Sequence, residues 1–461
     1  MNTALRWFSL YFGRDSLSKR RLAPAQIITL SYATAILIGC AILSLPISHA
    51  PGVRIGVLDA LFTATSALCI TGLVVVDTGA DFSRFGQVVI MLLFQMGGFG
   101  IITLGTLIAF FSGRRIGFRE RMNLQAQLNS MQVGGVVKLI QRVMILVFGS
   151  ELVGALLLYP RFAAHEGPVE GIFFALFHSI SAFNNAGFGL YADSLERFVG
   201  DLQVNLVIMG LIVLGGLGFI VIMDILSHVR PHHARRPLTL HTKMVLTATT
   251  LLILFGAMVI AVFEWMNPLT LGALSLPQKL MASLFQSITP RTAGFNSLDY
   301  SNMREGTLIF TMLLMFIGGS PGSTAGGIKT VTFFVLLGSA WSISRGHGEL
   351  VIFGRRLALE TVARSGSIAL ISMVVLGGAV TLLTLIEPNF TALQIGFETV
   401  SAMGTVGLST GITAELSPLS KLVLIALMYL GRMGPLTLAL ALVQKPPEKQ
   451  VNYPAEDIVI G

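Results

Sequence analysis

Long uncharged apolar runs alternate along this chain with short polar connections. A helix needs roughly 20 residues to cross about 30 Å of hydrocarbon. Residues 27–47, 85–113, 202–223, 244–263 and 365–386 reach that length without a charged side chain. Residues 143–159 add a run interrupted by Glu151, and 422–443 one interrupted by Arg432. Residues 306–344 form a long run broken by glycines and Lys329. The pattern predicts eight spanning helices.

Between the members of each pair lies an apolar piece too short to cross, at 59–71, 170–186, 278–293 and 391–406. These four pieces align, and repetition is the strongest organising signal a sequence can carry. "LFTATSALCITGL" (61–73) matches "LFHSISAFNNAGF" (176–188) without a gap. "FETVSAMGTVGL" (397–408) keeps the same Phe-to-Gly distance and the Ser-Ala pair, and the third copy, Phe285 to Phe295, is one residue shorter. The aligned glycines Gly72, Gly187, Gly294 and Gly407 are 115, 107 and 113 residues apart. The expected fold is an all-α integral membrane protein of four membrane-pore-membrane repeats, eight transmembrane helices and four pore helices, around a pseudo-fourfold pore. The divisions are a cytoplasmic segment 1–25, repeats at 26–113, 114–228, 229–344 and 345–445, the last three each with its preceding cytoplasmic linker, and a cytoplasmic tail 446–461.

Composition supports the membrane class. Of 461 residues, 53% are hydrophobic and only 12% charged, about half the charged fraction of soluble domains. Cys40 and Cys69 both lie in apolar stretches and are read as packing residues. The first 25 residues carry Arg6, Arg14, Lys19, Arg20 and Arg21, and the following apolar run lacks a small-residue cleavage site, so it is read as an uncleaved span. With both ends and the inter-repeat linkers cytoplasmic, that side holds 21 of the 31 Lys and Arg, in accord with the positive-inside rule. Of the 23 acidic residues, 14 fall outside, among them Asp77, Asp81, Asp193, Glu196 and Asp299, and an acidic mouth concentrates cations.

Non-helical backbone at membrane depth is tolerated where it is buried in protein or lines water. Four glycine breaks in register point to a shared lining, with positive-φ glycines turning carbonyls toward an axis where they replace an ion's hydration shell. The candidate filter is Ile70, Thr71 and Gly72; Asn185, Ala186 and Gly187; Thr292, Ala293 and Gly294; and Thr405, Val406 and Gly407, with K+ held by backbone carbonyls. The polar side chains of Thr71, Asn184, Asn185, Thr292 and Thr405 are expected to brace these loops. A lone glycine would read as a turn between packed helices.

"GGSPGSTAGG" (318–327) places five glycines in ten residues inside the third repeat's second helix. Gly318, Gly319, Ser320, Gly322, Ser323, Thr324, Gly326 and Gly327, followed by Lys329, form a candidate gate below the glycine loops. Arg432, near the middle of the last helix, costs about 2.5–3.5 kcal/mol there unless it faces a cavity or partner. Gly318–Ser320–Gly322 also fits a nucleophile elbow, but neither a preceding strand nor an acid partner is visible, and the only histidine at that depth is His178. His228, His232, His233 and His241 lie in a basic linker, spaced to permit a metal site, although a solvated or partner-binding face is the simpler reading. Glu151 has no partner that sequence can name.

The four glycine loops and the broken helix resemble the Trk/Ktr/HKT superfamily of cation transporters over nearly the whole chain. The first repeat starts by residue 27, leaving no room for the extra N-terminal helix pair of Trk-type subunits, so the Ktr-type membrane subunit is the nearer likeness. That resemblance implies channel-like potassium uptake, with 318–327 as an intramembrane gate and Arg432 narrowing the path. A serine in place of the first filter glycine goes with sodium transport in the plant members, so Gly72 implies potassium. It also implies a homodimer with one pore per protomer in the bacterial plasma (inner) membrane. Control would come from a cytosolic RCK-type ring (KtrA) that binds ATP or ADP. No organic cofactor is expected on this chain and no nucleic-acid partner. The rival classes are an alternating-access carrier, including a sodium-coupled cation symporter, and an intramembrane enzyme using Ser320.

Overall fold

The computed structural model describes residues 24–100, 136–229, 237–346 and 349–434. The basic N-terminal residues, positions 101–135, His232 and His233 with their neighbouring arginines, and everything beyond 434 lie outside the described residues.

A long helix, a short helix and a second helix follow one another four times. They are α1 Pro24–Leu43, α2 Val57–Leu68 and α3 Arg84–Phe99; then α4 Val136–Glu166, α5 Pro168–Asn184 and α6 Leu202–Leu217, with α7 Phe219–Val229 beyond a break. Next come α8 Leu240–Glu264, α9 Leu276–Ile288 and α10 Glu305–Phe316, with α11 Thr330–Ser344 beyond a longer break. A two-residue-per-strand hairpin, β1 Val351–Ile352 with β2 Arg355–Arg356, precedes α12 Leu359–Ile386, α13 Ala392–Gly404 and α14 Pro418–Met433.

The second helices start at residues whose side chains replace missing backbone partners. Ser83 accepts from Gly86 N (3.2 Å), Asp201 from Gln203 N (2.9 Å) and Val204 N (3.0 Å), and Ser417 from Ser420 N (3.4 Å). Their ends depart from expectation. The runs at 85–113, 202–223 and 422–443 were each expected to continue as one helix, yet α3, α6 and α14 stop at Gly100, Gly218 and Gly434. All three glycines have φ between 79° and 94°, which no helix accommodates. At Gly218 the chain turns by 99° into α7. Among the described residues, α1, α4, α8 and α12 are long and apolar enough to cross a membrane unbroken, and the second helices are not.

The outer surface is apolar, unlike that of a soluble protein. Leucine, isoleucine and valine on the long helices face outward, for instance Ile145 (75% exposed) and Leu385 (77%). Inside, polar side chains are buried among core phenylalanines: Thr65, Ser66, Asn184, Asn185, Gln286 and Thr405 are fully buried, as are Phe62, Phe177, Phe285 and Phe397. A lipid surround makes that exterior favourable, because apolar side chains facing lipid carry no exposure cost. Ten consecutive residues of α13, Ile395 to Gly404, are buried. The short helices are therefore the core, and the long helices shield them.

The chain's two ends of this arrangement meet without a peptide link. Lys421 Nζ on α14 pairs with Asp59 Oδ1 on α2 at 3.0 Å, and Tyr429 donates to the Thr29 carbonyl at 2.6 Å. The last repeat thus packs against the first.

Candidate ion-coordinating site

Each short helix ends in the same backbone sequence of conformations. The residue two before the glycine is left-handed, with φ 51° at Ile70, 55° at Asn185, 77° at Thr292 and 51° at Thr405. The glycine itself is positive again, at 88°, 73°, 79° and 93° for Gly72, Gly187, Gly294 and Gly407. Non-glycine residues rarely accept such φ values, so these four are held by surrounding contacts.

The four loops close on one another in chain order. A methyl group on Gly72 would lie 2.7 Å from the Ala186 carbonyl oxygen, and one on Gly187 3.0 Å from that of Ala293. One on Gly294 would collide with the Val406 carbonyl, and one on Gly407 with that of Thr71. Every glycine is thus roofed by the carbonyl that precedes the next glycine, and the cycle returns to its start. Rings of backbone carbonyl oxygens are chemically able to replace the hydration shell of a monovalent cation.

The loops are braced from behind by residues other than the expected ones. Ser66 Oγ accepts from Gly72 N (3.1 Å) and donates to the Leu73 carbonyl (2.7 Å), and Ser401 Oγ accepts from Gly407 N (3.1 Å). In the shortened third copy Thr289 donates to the Phe295 carbonyl. The hydroxyls of Thr71, Thr292 and Thr405 were expected to do this, and have no hydrogen-bond partner among the described residues. Asn184 and Asn185 reach neighbouring elements instead: Asn184 donates to Gln95 (2.7 Å) and Glu151 (3.0 Å), and Asn185 shares a 2.9 Å hydrogen bond with Thr324. That gives Glu151 partners the sequence could not name. Arg291, just before the third loop, is buried and donates to Thr249 (3.3 Å).

The second helices approach the short helices through glycine. A methyl on Gly97, Gly215 or Gly431 would collide with the carbonyl of Leu68, Phe183 or Met403, each four residues before its filter-candidate glycine.

The segment 317–329 lies directly against this site. Thr324 Oγ1 donates to the Phe183 carbonyl (3.3 Å), and a methyl on Gly326 would collide with Thr405 Oγ1. Ser320 N and Thr324 N donate to the carbonyls of Gly216 (3.0 Å) and Gly215 (3.3 Å), and Phe219 N donates to Gly322 O (2.9 Å). The break at Gly218 is what frees those groups, so the broken α6 and the loop satisfy each other. Gly322 and Gly327, at φ 70° and 66°, let it fold back. Lys329 Nζ holds the Ala325 carbonyl (2.6 Å). Arg432 was expected near the middle of the last helix and sits instead in the last turn of α14. Its guanidinium donates to the Thr324 carbonyl (2.5 Å) and to that of Gly97. Ser320 and Ser323 are occupied structurally: Ser320 pairs with Thr330 (3.1 Å), and Ser323 donates to Ser320 O (2.6 Å).

On the other side of the loops, Asn296, two residues past Gly294, donates to Glu196 Oε1 (2.7 Å). Burial, with Asp299 and Asp193 nearby, pushes the Glu196 carboxyl up to about 7.

Residues 4–453 match the family model of TrkH, described as a cation transport protein. The chain belongs to the TrkH family. It is a multi-pass membrane protein of that family, 44% identical over 96% of its length to the Ktr system potassium uptake protein B of Bacillus subtilis, of which 97% is covered. The corresponding protein of Vibrio alginolyticus is 39% identical, with 96% of each chain covered. The crystal structure of the potassium transporter TrkH from Vibrio parahaemolyticus superposes with a TM-score of 0.73 at 20% identity, over 93% of this chain and 86% of that one. Fold and family agree with a transporter. In this TrkH-family chain both ring nitrogens of His178 are engaged, Nδ1 with the Phe174 carbonyl (2.8 Å) and Nε2 with Leu190 N (3.4 Å).

Proposed function

We propose that this protein is the membrane pore subunit of a bacterial potassium uptake system of the Ktr type. The observation that carries the reading is the closed cycle of four glycines, each with the same alternation of backbone conformation and each against the carbonyl preceding the next. Potassium loses its water to oxygens arranged in this way, and the loop carbonyls of residues 70–72, 185–187, 292–294 and 405–407 are the proposed ligands. The names of the Bacillus and Vibrio relatives give the ion. The segment 318–327 is the proposed gate. It packs against Asn185 and Thr405 and is tied by Arg432 to the first repeat, contacts that support a loop able to obstruct the path. Opening requires the loop to leave those contacts, a task we assign to cytosolic nucleotide-binding subunits acting on a homodimer of this chain, in the plasma membrane with both termini cytoplasmic.

The test is Gly72→Ser in proteoliposomes, with potassium and sodium uptake measured separately. A side chain there meets the Ala186 carbonyl and a positive φ, so the potassium preference should fall by about tenfold, equivalent to roughly 1.4 kcal/mol of differential binding. Unchanged preference in a well-folded variant would remove Gly72 from the ion path.

A further inference from the structure

Each short helix carries one polar residue immediately after a fully buried phenylalanine: Thr63 after Phe62, His178 after Phe177, Gln286 after Phe285 and Glu398 after Phe397. All four polar residues are themselves buried. They stand nine residues before the glycine in repeats 1, 2 and 4, and eight before it in the shortened third. Three of them reach past the glycine to the same backbone position. His178 Nε2 accepts from Leu190 N at 3.4 Å, its proton being on Nδ1, which faces the Phe174 carbonyl. Gln286, with its amide oxygen toward the loop, accepts from Ser297 N (3.3 Å) and Leu298 N (2.9 Å) while its nitrogen donates to Tyr300 Oη (2.7 Å). Glu398 Oε1 accepts from Thr410 N (2.9 Å), Ser409 Oγ (2.7 Å) and Thr410 Oγ1 (3.3 Å), and Oε2 from Thr413 Oγ1 (2.7 Å). Leu190, Ser297 and Thr410 are each the third residue after their glycine. In repeat 1 the hydroxyl of Thr63 instead donates to the Asp59 carbonyl of its own helix (2.9 Å).

Backbone that alternates between left- and right-handed conformations has no regular ladder to hold its N–H groups, and a buried N–H must find an acceptor. A side chain anchored in the rigid short helix supplies that acceptor and fixes how far the loop carbonyls stand from the centre. Discrimination between two monovalent cations depends on that spacing and on the field of the oxygens. We propose that His178, Gln286 and Glu398 are positioning residues for ion selectivity, each pinning the exit of its glycine loop by the same backbone contact. Repeat 1 does without this contact, and is held by Ser66 through Gly72 N and the Leu73 carbonyl. The proposal rests on the reading of the four loops as an ion path.

The test uses the full chain in proteoliposomes and reads the ratio of potassium to sodium uptake, which a general loss of folded protein does not move. Glu398→Gln keeps an oxygen facing Thr410 N and should retain the wild-type ratio. Glu398→Leu leaves that N–H and the hydroxyls around it without an acceptor, and the ratio should fall by about fivefold or more. Gln286→Met, which keeps the volume and drops both accepted hydrogen bonds, should act in the same direction and serves as the deciding variant should Glu398→Leu yield no folded protein. Gly407→Ser is run in parallel as a probe of the ion path itself. A normal ratio in Glu398→Leu and Gln286→Met with a lowered one in Gly407→Ser overturns the positioning role alone. A normal ratio in all of them overturns the ion-path reading and this role with it. An equal fall in Glu398→Gln and Glu398→Leu overturns the hydrogen-bond account, since charge rather than acceptance would then be what the loop requires.

Discussion

Glu196 shows how one side chain beside the third glycine loop can respond to pH. Its carboxyl, partly buried and near Asp299 and Asp193, titrates near 7 rather than near its usual 4.5. Because the folded value is the higher one, folding favours the protonated form. The stability it contributes is present below about 4.5 and lost as pH rises through about 7. For transport the sign is the opposite: above 7 the group adds a negative charge beside Asn296, which follows the third glycine loop. Potassium uptake at limiting external potassium should therefore rise between about pH 6 and about pH 8, and Glu196→Gln should flatten the rise. An identical pH profile in the variant would show that the charge is not felt by the entering ion. The four glycines were legible because repetition compares like with like, and the structure puts positive φ at each of them. The bracing hydroxyls of Ser66, Ser401 and Thr289 were not, because a hydroxyl in the short helix meets its backbone partner only once the loop has folded back. The sequence made the threonines beside the glycines look like the braces, being nearer in the chain.

At the scale of elements, what the sequence concealed was the ending of α3, α6 and α14. A single glycine inside an apolar run is usually tolerated, and Gly100, Gly218 and Gly434 each look like that in one dimension. Only packing discloses that the freed carbonyls of Gly97, Gly215 and Gly216 are needed by Arg432, Thr324 and Ser320. The segment at 318–327 was legible because five glycines in ten residues leave little helix to defend. Two predictions belong here. Deleting residues 320–325, or Arg432→Ala, should raise potassium flux through the chain alone while leaving its preference over sodium intact, since both remove contacts on one side of the glycine loops. Equal flux in wild type and both variants would reduce the segment to a kink. Separately, Gly215→Ala forces a methyl onto the Phe183 carbonyl and should destabilise by about 1–3 kcal/mol. Gly210→Ala, in the same helix with nothing within 4 Å, should be neutral or stabilising by up to about 1 kcal/mol. Thermal unfolding of the two purified variants in one detergent compares them directly.

The whole molecule is a cycle cut once, between the last repeat and the first, and non-covalent contacts must do there what linkers do elsewhere. Lys421 and Asp59 span that cut, and Tyr429 reaches the Thr29 carbonyl beside it. The pair is partly exposed, so a double-mutant cycle of Lys421→Met and Asp59→Asn should return a coupling of about 1 kcal/mol or less, with Tyr429→Phe additive to it. Zero coupling would assign the closure to packing alone. The apolar outer surface was legible at this scale from hydropathy. The order in which the loops meet was not, since spacing along a chain says nothing about which neighbour a loop touches.

Because the four glycine loops share a backbone but come from one polypeptide, a single codon alters one quarter of the ring. An assembly of four identical subunits has no such option, and every substitution in it lands four times. Here the side chains can drift apart, as Ile70, Asn185, Thr292 and Thr405 have done at one common position. If these loops are the ion path proposed above, its preference is adjustable in quarter steps, with three loops holding the geometry while the fourth is tried.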